Sequence, residues 1–360
     1  MNKLIASAVL GALVQPAAHA QTLDNLMNGI DVSFGGFGTV STVRSDTDQA
    51  KFVRGIEKNG ANRSFAENVD SNLGVQATVR FNSWLSATAQ VLADNNELTD
   101  PLAWAYVKLE PLESLSIKLG KVEMPLFMIS DSRDIGYANS WVRPPNEVYS
   151  LASVEELKGG EASYTLPIAS TRLVFTGYAG TSTAVVPQGT RFNAWDVHGG
   201  EIRWETEWVT VRGGIATTQN EVGAGNHDKY TFEGFGFSVD HSNIVAQSEF
   251  VRRYDSKYKF AADSTGWYVM GGYRFGKVLP YVSYASTTKS EPYFAAYALS
   301  LNQNTKAIGV RWDAFKSADL KFQFERIDPK GTSGISFTQV QPGFGGSDVN
   351  VVSLALDFVF

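Results

Sequence analysis

The segment from Val352 to Phe360 alternates so regularly that it constrains what can surround it. Val352, Leu354, Leu356, Phe358 and Phe360 make an unbroken apolar face, and Ser353, Ala355, Asp357 and Val359 make one that is small or polar. Successive side chains on a strand point to opposite faces, so one face asks for an apolar medium and the other for water or polar company. A soluble core could serve the first need. Here the apolar face runs to Phe360 with no polar fringe, which suits lipid and an interfacial aromatic girdle.

The other end of the chain is consistent with export. Lys3, the apolar stretch Leu4 to Val14 and the small-residue site Ala18-His19-Ala20 read as a secretory signal peptide over residues 1–20, too short to span a bilayer as a helix. The fold is therefore expected in residues 21–360, as one domain. The chain has 31 basic and 37 acidic residues; losing Lys3 leaves 30 against 37, a net charge of −7. The absence of cysteine excludes disulfides, a thiolate nucleophile and thiolate metal ligands. After the leader, no apolar run approaches the roughly 20 residues of a helical span. Glycine (33 residues) and aromatics (12%) fit many amphipathic strands, and mild acidity with no basic stripe excludes nucleic acid as a partner.

Sixteen strands are predicted, over 31–44, 70–81, 84–94, 101–110, 114–122, 157–167, 170–179, 195–206, 208–218, 230–241, 243–254, 265–275, 277–287, 304–314, 318–328 and 348–360. Tight turns fall at Asn82-Ser83, Pro111-Leu112-Glu113, Ala169, Glu207, Asp240-His241-Ser242, Gly276 and Phe315-Lys316-Ser317. They alternate with long segments rich in Gly, Asp, Asn and Ser, such as 45–69, 180–194, 219–229, 288–303 and 329–347. Short turns on one rim and long loops on the other are the pattern of a transmembrane β-barrel, and pairing 348–360 with 31–44 would remove every edge. An even count puts both termini on the periplasmic rim.

Faces can be assigned strand by strand. Leu73, Val75, Ala77, Val79 and Phe81 oppose Asn72, Gln76, Thr78 and Arg80; Leu320, Phe322 and Phe324 oppose Lys321, Gln323 and Glu325. Ile308, Val310 and Trp312 oppose Arg311 and Asp313, and Ile202 and Trp204 oppose Arg203 and Glu205. Unpaired charges on so many inward faces would cost several kcal/mol each in a packed sandwich and little in a water-filled barrel. Two strands are ambiguous: Trp104 and Tyr106 share a face with Lys108, and Pro280 sits inside 277–287. A neighbouring subunit is suspected near the first five strands. A barrel of about sixteen to eighteen strands leaves an aqueous channel.

One long segment, 123–156, is too apolar for solvent and too rich in proline for a strand, with Met124, Leu126, Phe127, Met128, Ile129, Trp141, Val142 and Tyr149 beside Pro125, Pro144 and Pro145. Such a loop is better packed against a wall. With it the mature chain resembles the Gram-negative trimeric porins, in which sixteen strands end in a terminal Phe and the third external loop folds into the lumen. The resemblance implies an all-β barrel in the outer membrane, a homotrimer, no cofactor, and a terminal Phe358/Phe360 signal read by the barrel-assembly machinery. It also implies acidic groups on the third loop facing a basic wall. Asp131, Asp134, Glu147 and Glu155 match by position, whereas Arg133 and Arg143 on the same loop depart from that pattern. The enterobacterial Pro-Glu-Phe-Gly signature is replaced by Met124-Pro125-Leu126-Phe127.

The candidate basic wall is Arg80, Lys118, Arg172, Arg203, Arg212, Arg274 and Arg311, with wall salt bridges such as Arg203 to Glu201 or Glu205 as the plainer use. Opposite charges across a narrow wet gap would set up a transverse field. The function expected is a passive channel for small hydrophilic solutes and ions, leaning toward cations on net charge. A channel specific for anions or sugars is the alternative; Tyr137 and Trp141 could form its sugar slide, but packing against the wall is their expected use. An outer-membrane enzyme is a third reading. Its best feature among His198, His227 and His241 is the pair His227-Asp228 in an external loop, although no serine, second His or carboxylate pair converges with it and a solvated polar loop explains it better. Asp46-Thr47-Asp48 begins like a calcium loop without its later positions, Asn62-Arg63-Ser64 matches a glycosylation acceptor as a pattern only, and Gly35, Gly36 and Gly38 read as strand glycines.

Overall fold

The computed structural model describes residues 30–55, 60–94, 100–152, 154, 156–185, 191–221, 227–255, 263–289 and 302–360. The leader segment 1–20 and Glu155 lie outside these residues. The strands are β1 (Asp31–Ser45), β2 (Lys51–Phe52), β3 (Asn72–Arg80), β4 (Leu85–Asp94), β5 (Leu102–Leu112), β6 (Leu115–Glu123), β7 (Glu156–Ile168), β8 (Thr171–Val185), β9 (Arg191–Glu205), β10 (Val209–Glu221), β11 (His227–His241), β12 (Ile244–Asp255), β13 (Ser264–Tyr273), β14 (Val278–Lys289), β15 (Gln303–Trp312), β16 (Ala318–Asp328), β17 (Phe337–Thr338) and β18 (Val349–Val359). All but β2 and β17 form one closed antiparallel barrel of sixteen strands.

Alternation explains these strands, and the outward and inward sets read from sequence are the ones observed. Leu73, Val75, Ile202, Trp204, Ile308, Trp312, Leu320 and Phe322 are exposed on the outside, whereas Lys321, Gln323 and Glu325 are buried within. Closure is made by β18 against β1, with Gly38 opposite Phe358 and mutual backbone bonds of 2.9 Å between Gly36 and Phe360. The two aromatic rings lie over these glycines: a Cβ at Gly36 would meet the Phe360 ring at 2.3 Å, and one at Gly38 the Phe358 ring at 2.5 Å. Turn chemistry sets the register, because Ala169, Ser242 and Gly276 take the left-handed φ (51°, 56° and 60°) that tight hairpins use.

Two features go beyond the alternation. The first and last long loops are not free: β2 pairs with β17, and Phe52, Ala61, Val69, Phe337 and Phe344 make a small core with Val43, Ile327, Val349 and Val351 at the long-loop rim. The inner wall from β8 to β14 is also partly apolar. Tyr178, Phe232, Val251, Tyr268, Met270, Leu279 and Tyr281 are buried there in one cluster with residues of the segment between β6 and β7. Inward Leu279 and Tyr281 place Pro280 on the outer side of β14, and outward Val107 places Trp104, Tyr106 and Lys108 of β5 on the lumen side.

Candidate functional site

The segment joining β6 to β7 carries two short 3-10 turns (Ser130–Ser132 and Gly136–Ala138) and one helical turn, α1 (Asn146–Tyr149). It lies inside the barrel because its apolar residues have somewhere to go. Phe127 packs on Phe232 (5.3 Å between centroids) and Tyr149 (4.7 Å), and Trp141 stands edge-on to Tyr268 (5.4 Å). The inner wall is cut to receive it. A Cβ at Gly266 would stand 2.1 Å from the carbonyl oxygen of Glu147, and one at Gly236 2.6 Å from Met128 Cγ.

Polar anchors then fix this back face. The Met128 amide and Tyr149 hydroxyl donate to buried Glu249 at 2.9 and 2.7 Å. The Val142 amide donates to Gln323 at 3.0 Å, and Arg253 donates to the Leu151 carbonyl at 3.0 Å. Arg143 donates twice to Asp70 of the first loop (2.9 and 2.6 Å), to Glu325 of β16 and to Ser353 of β18 (2.6 Å), with its guanidinium 4.9 Å from the Phe52 ring. Burial opposes its charge, and Asp70 and Glu325 more than offset that, so the group stays cationic. Glu147 accepts from Gln303 (2.7 Å) and from Thr305; burial pushes its carboxyl above the ordinary range. Asn146 donates to the Val53 carbonyl and to Ser336, both at 2.9 Å, which ties the first, third and last loops together.

The tip of the segment reaches the short-turn rim. Tyr137 donates to the Lys316 carbonyl at 3.0 Å, Arg311 donates to the carbonyls of Tyr137 and Asn139 at 2.8 Å each, and Lys321 donates to the Gly136 carbonyl at 2.6 Å. The same two cations pair with Asp319 (Arg311 at 3.1 Å) and Asp357 (Lys321 at 2.8 Å).

The opposite face of the segment carries Asp131, Arg133 and Asp134, all half-buried. Asp131 acts electrostatically on Lys118 of β6 and Arg203 of β9. Each of those cations is also paired along the wall, Lys118 with Glu161 at 2.8 Å and Arg203 with Glu201 at 2.9 Å. Lys118 also stands 5.6 Å from the Tyr106 ring. Burial would raise the Asp134 carboxyl, but Arg133 and Arg54 outweigh it and hold it below the usual range.

The structure therefore divides the residues singled out in the sequence. It brings Asp131 near Lys118 and Arg203. It removes Arg143 and Glu147 from the open lumen, since both are sealed under the segment's back face. Arg212 is buried too, donating to Glu201 and to the Pro125 carbonyl, so it anchors the segment's start. Arg80, Arg172 and Arg274 stand at the short-turn rim, where Arg172 pairs with Glu205 and Arg274 with Asp240 at 3.0 Å. Trp141 is buried and cannot serve as a sugar slide. The side chains of His227 and Asp228 lie outside the described residues. His198 bonds to Thr217 (2.9 Å) and His241 lies against Trp208 with the rings tilted (5.0 Å between centroids). Asp46 accepts from the Asn350 amide at 3.0 Å and its side chain at 2.6 Å, and among the described residues no group of His, Cys, Asp and Glu is set to hold a metal. Arg54, Asp70 and Glu249 were not singled out from sequence. The one signal for the covered wall was there, because Trp267 to Met270 and Val278 to Val282 are apolar on both faces, as strands covered on both sides are.

No protein-family model and no curated protein matches this sequence. Solved structures do match over nearly the whole chain. An anion-selective porin from Comamonas acidovorans is 13% identical, covering 92% of this chain and 100% of its own, with a TM-score of 0.61. The outer-membrane channel DcaP of Acinetobacter baumannii is 12% identical over 93% of this chain and 99% of its own, with a TM-score of 0.59. An outer-membrane protein of Vibrio cholerae, OmpT, solved in a trimer form, is 12% identical over 92% of this chain and 100% of its own, at 0.55. The fold of this chain is that of the Gram-negative outer-membrane porins.

Proposed function

We propose that this protein is an outer-membrane porin, a passive water-filled channel for small hydrophilic solutes and ions that works as a homotrimer and carries out no chemical step. The observation that carries the reading is a closed barrel with an apolar outside and a charged inside, narrowed by a segment folded inward and anchored to the wall. A plug would meet the whole circumference. The segment packs instead on β10 to β16, β18, β1 and the start of β3, and turns Asp131 toward the β6 and β9 cations. Polar solutes crossing that gap would be ordered by the field between Asp131 and the Lys118/Arg203 side.

The trimer reading draws on the trimer form of one structural neighbour and on the outer face. Exposed apolar residues on β3 to β5 are aliphatic (Leu73, Val75, Val91, Leu102, Val107), whereas those on β9 to β13 include Trp195, Trp204, Phe235, Phe250 and Trp267. Exported residues 21–360, a cleaved leader at 1–20, and recognition of Phe358 and Phe360 by the assembly machinery belong to the same proposal.

Single-channel conductance of refolded protein in a planar bilayer tests it. Ohmic steps in groups of three support a trimeric diffusion channel. A folded barrel that stays closed overturns the reading. Deleting residues 131–147 should raise the conductance, and an unchanged value would mean that this stretch does not narrow the path.

A further inference from the structure

Within the channel reading, we propose that the first long loop supplies a selectivity residue: Arg54, which caps the loop carboxylate Asp134 and so sets how cation-preferring the narrow zone is. Arg54 Nη2 lies 2.6 Å from Asp134 Oδ1, with side chains 20% and 31% exposed, so the pair is only partly covered. The two residues are 80 positions apart, on different loops. The Asp134 backbone is held as well, its carbonyl accepting from Asn72 of β3 at 2.9 Å.

The loop that carries Arg54 is built to hold it there. Phe52 exchanges two backbone bonds of 2.8 Å with Ala61, and β2 pairs with β17. Val53 donates its amide to the Ser336 carbonyl at 2.9 Å and accepts from Asn146 at 2.9 Å. The Gly55 amide donates to the Asn146 side chain at 3.3 Å. Arg54 is thus gripped on both sides by bonds to the third and last loops, and its guanidinium is presented to Asp134 rather than to bulk solvent.

Charge at this zone follows from that placement. Asp131 acts through space on Lys118 and Arg203, which already have carboxylate partners on the wall. Asp134 lies beside Arg54 and Arg133. Removing Arg54 takes one positive charge from the zone, makes its net charge more negative by one, and leaves Asp134 with Arg133. A single half-screened charge within a Debye length of a passing ion should change a permeability ratio roughly two- to fivefold.

The test is the reversal potential of wild type, Arg54→Gln, Arg54→Lys, Asp134→Asn and the double variant Arg54→Gln/Asp134→Asn in a potassium chloride gradient. Arg54→Gln should raise the cation-to-anion permeability ratio roughly two- to fivefold. Asp134→Asn should lower it, the double variant should return it near wild type, and Arg54→Lys should leave it near wild type. A conducting wild type whose ratio Arg54→Gln does not move, with the variant's barrel circular dichroism unchanged, overturns the assignment of Arg54 alone. A double variant displaced as far as Arg54→Gln overturns the pairing with Asp134. A wild type with no conductance overturns the channel reading together with this one.

Discussion

Replacing Arg143 with Met is the most informative perturbation of the loop anchor. The guanidinium joins four partners at once: Asp70 in two bonds, Glu325, Ser353 and the Phe52 ring. The side chains of Arg143 and Asp70 are each 1% exposed and that of Glu325 8%. Met fills a similar volume but leaves two carboxylates buried without a counter-charge, and removing one side of a buried ion pair costs about 3–5 kcal/mol. The contact with Phe52 adds about 2 kcal/mol at a desolvated site. A loss of about 5–7 kcal/mol is therefore expected in denaturant unfolding of the refolded protein in detergent, where linear extrapolation gives the difference. Arg143→Lys keeps the charge and loses the planar fork, so it should recover only part of the loss. The triple variant Arg143→Met/Asp70→Asn/Glu325→Gln removes the stranded charges and should recover most of it. A loss below about 1 kcal/mol for Arg143→Met would refute the argument, by showing that water reaches Asp70 and Glu325 and that the site is not dry.

Three further outcomes are expected. Burial raises the folded-state carboxyl of Glu147, so the native state binds its proton more tightly than the unfolded chain and Glu147 weakens the fold as pH rises above the ordinary carboxylate range. Glu147→Gln should therefore gain stability on wild type at pH 8 and little at pH 4, and an equal gain at both values would contradict this. Gly266→Ala forces a methyl onto the Glu147 backbone and should cost about 1–3 kcal/mol with looser protease resistance of the third loop, while Gly236→Ala meets the movable Met128 side chain most closely and the Ser248 carbonyl oxygen only at 3.0 Å, and should cost less; the reverse order in a melting series would show that the loop yields at α1. Phe358→Ala uncovers Gly38 and should cost about 1–2 kcal/mol of half-buried apolar contact together with a lower folded yield in lipid vesicles, and an unchanged yield would remove the ring from the closing joint.

Alternation by itself determined the barrel. The period of two assigned Leu320 outward and Lys321 inward before any partner was known, and the tight turns at Ala169, Ser242 and Gly276 set which strands neighbour each other. That information is local, because each residue's face depends only on its own strand. What the period cannot say is which part of the inner face will be dry. Lys321, Gln323 and Glu325 read as lumen residues and are inward, yet a loop far away in sequence covers them. Only the tertiary structure decided that Arg143 and Glu147 are anchors, that Asp131 works on Lys118 and Arg203, and that Arg54 reaches Asp134. The reason is that a loop's position follows from the summed fit of its apolar residues into glycine-lined hollows on β11 and β13, and no single segment contains both halves of that fit.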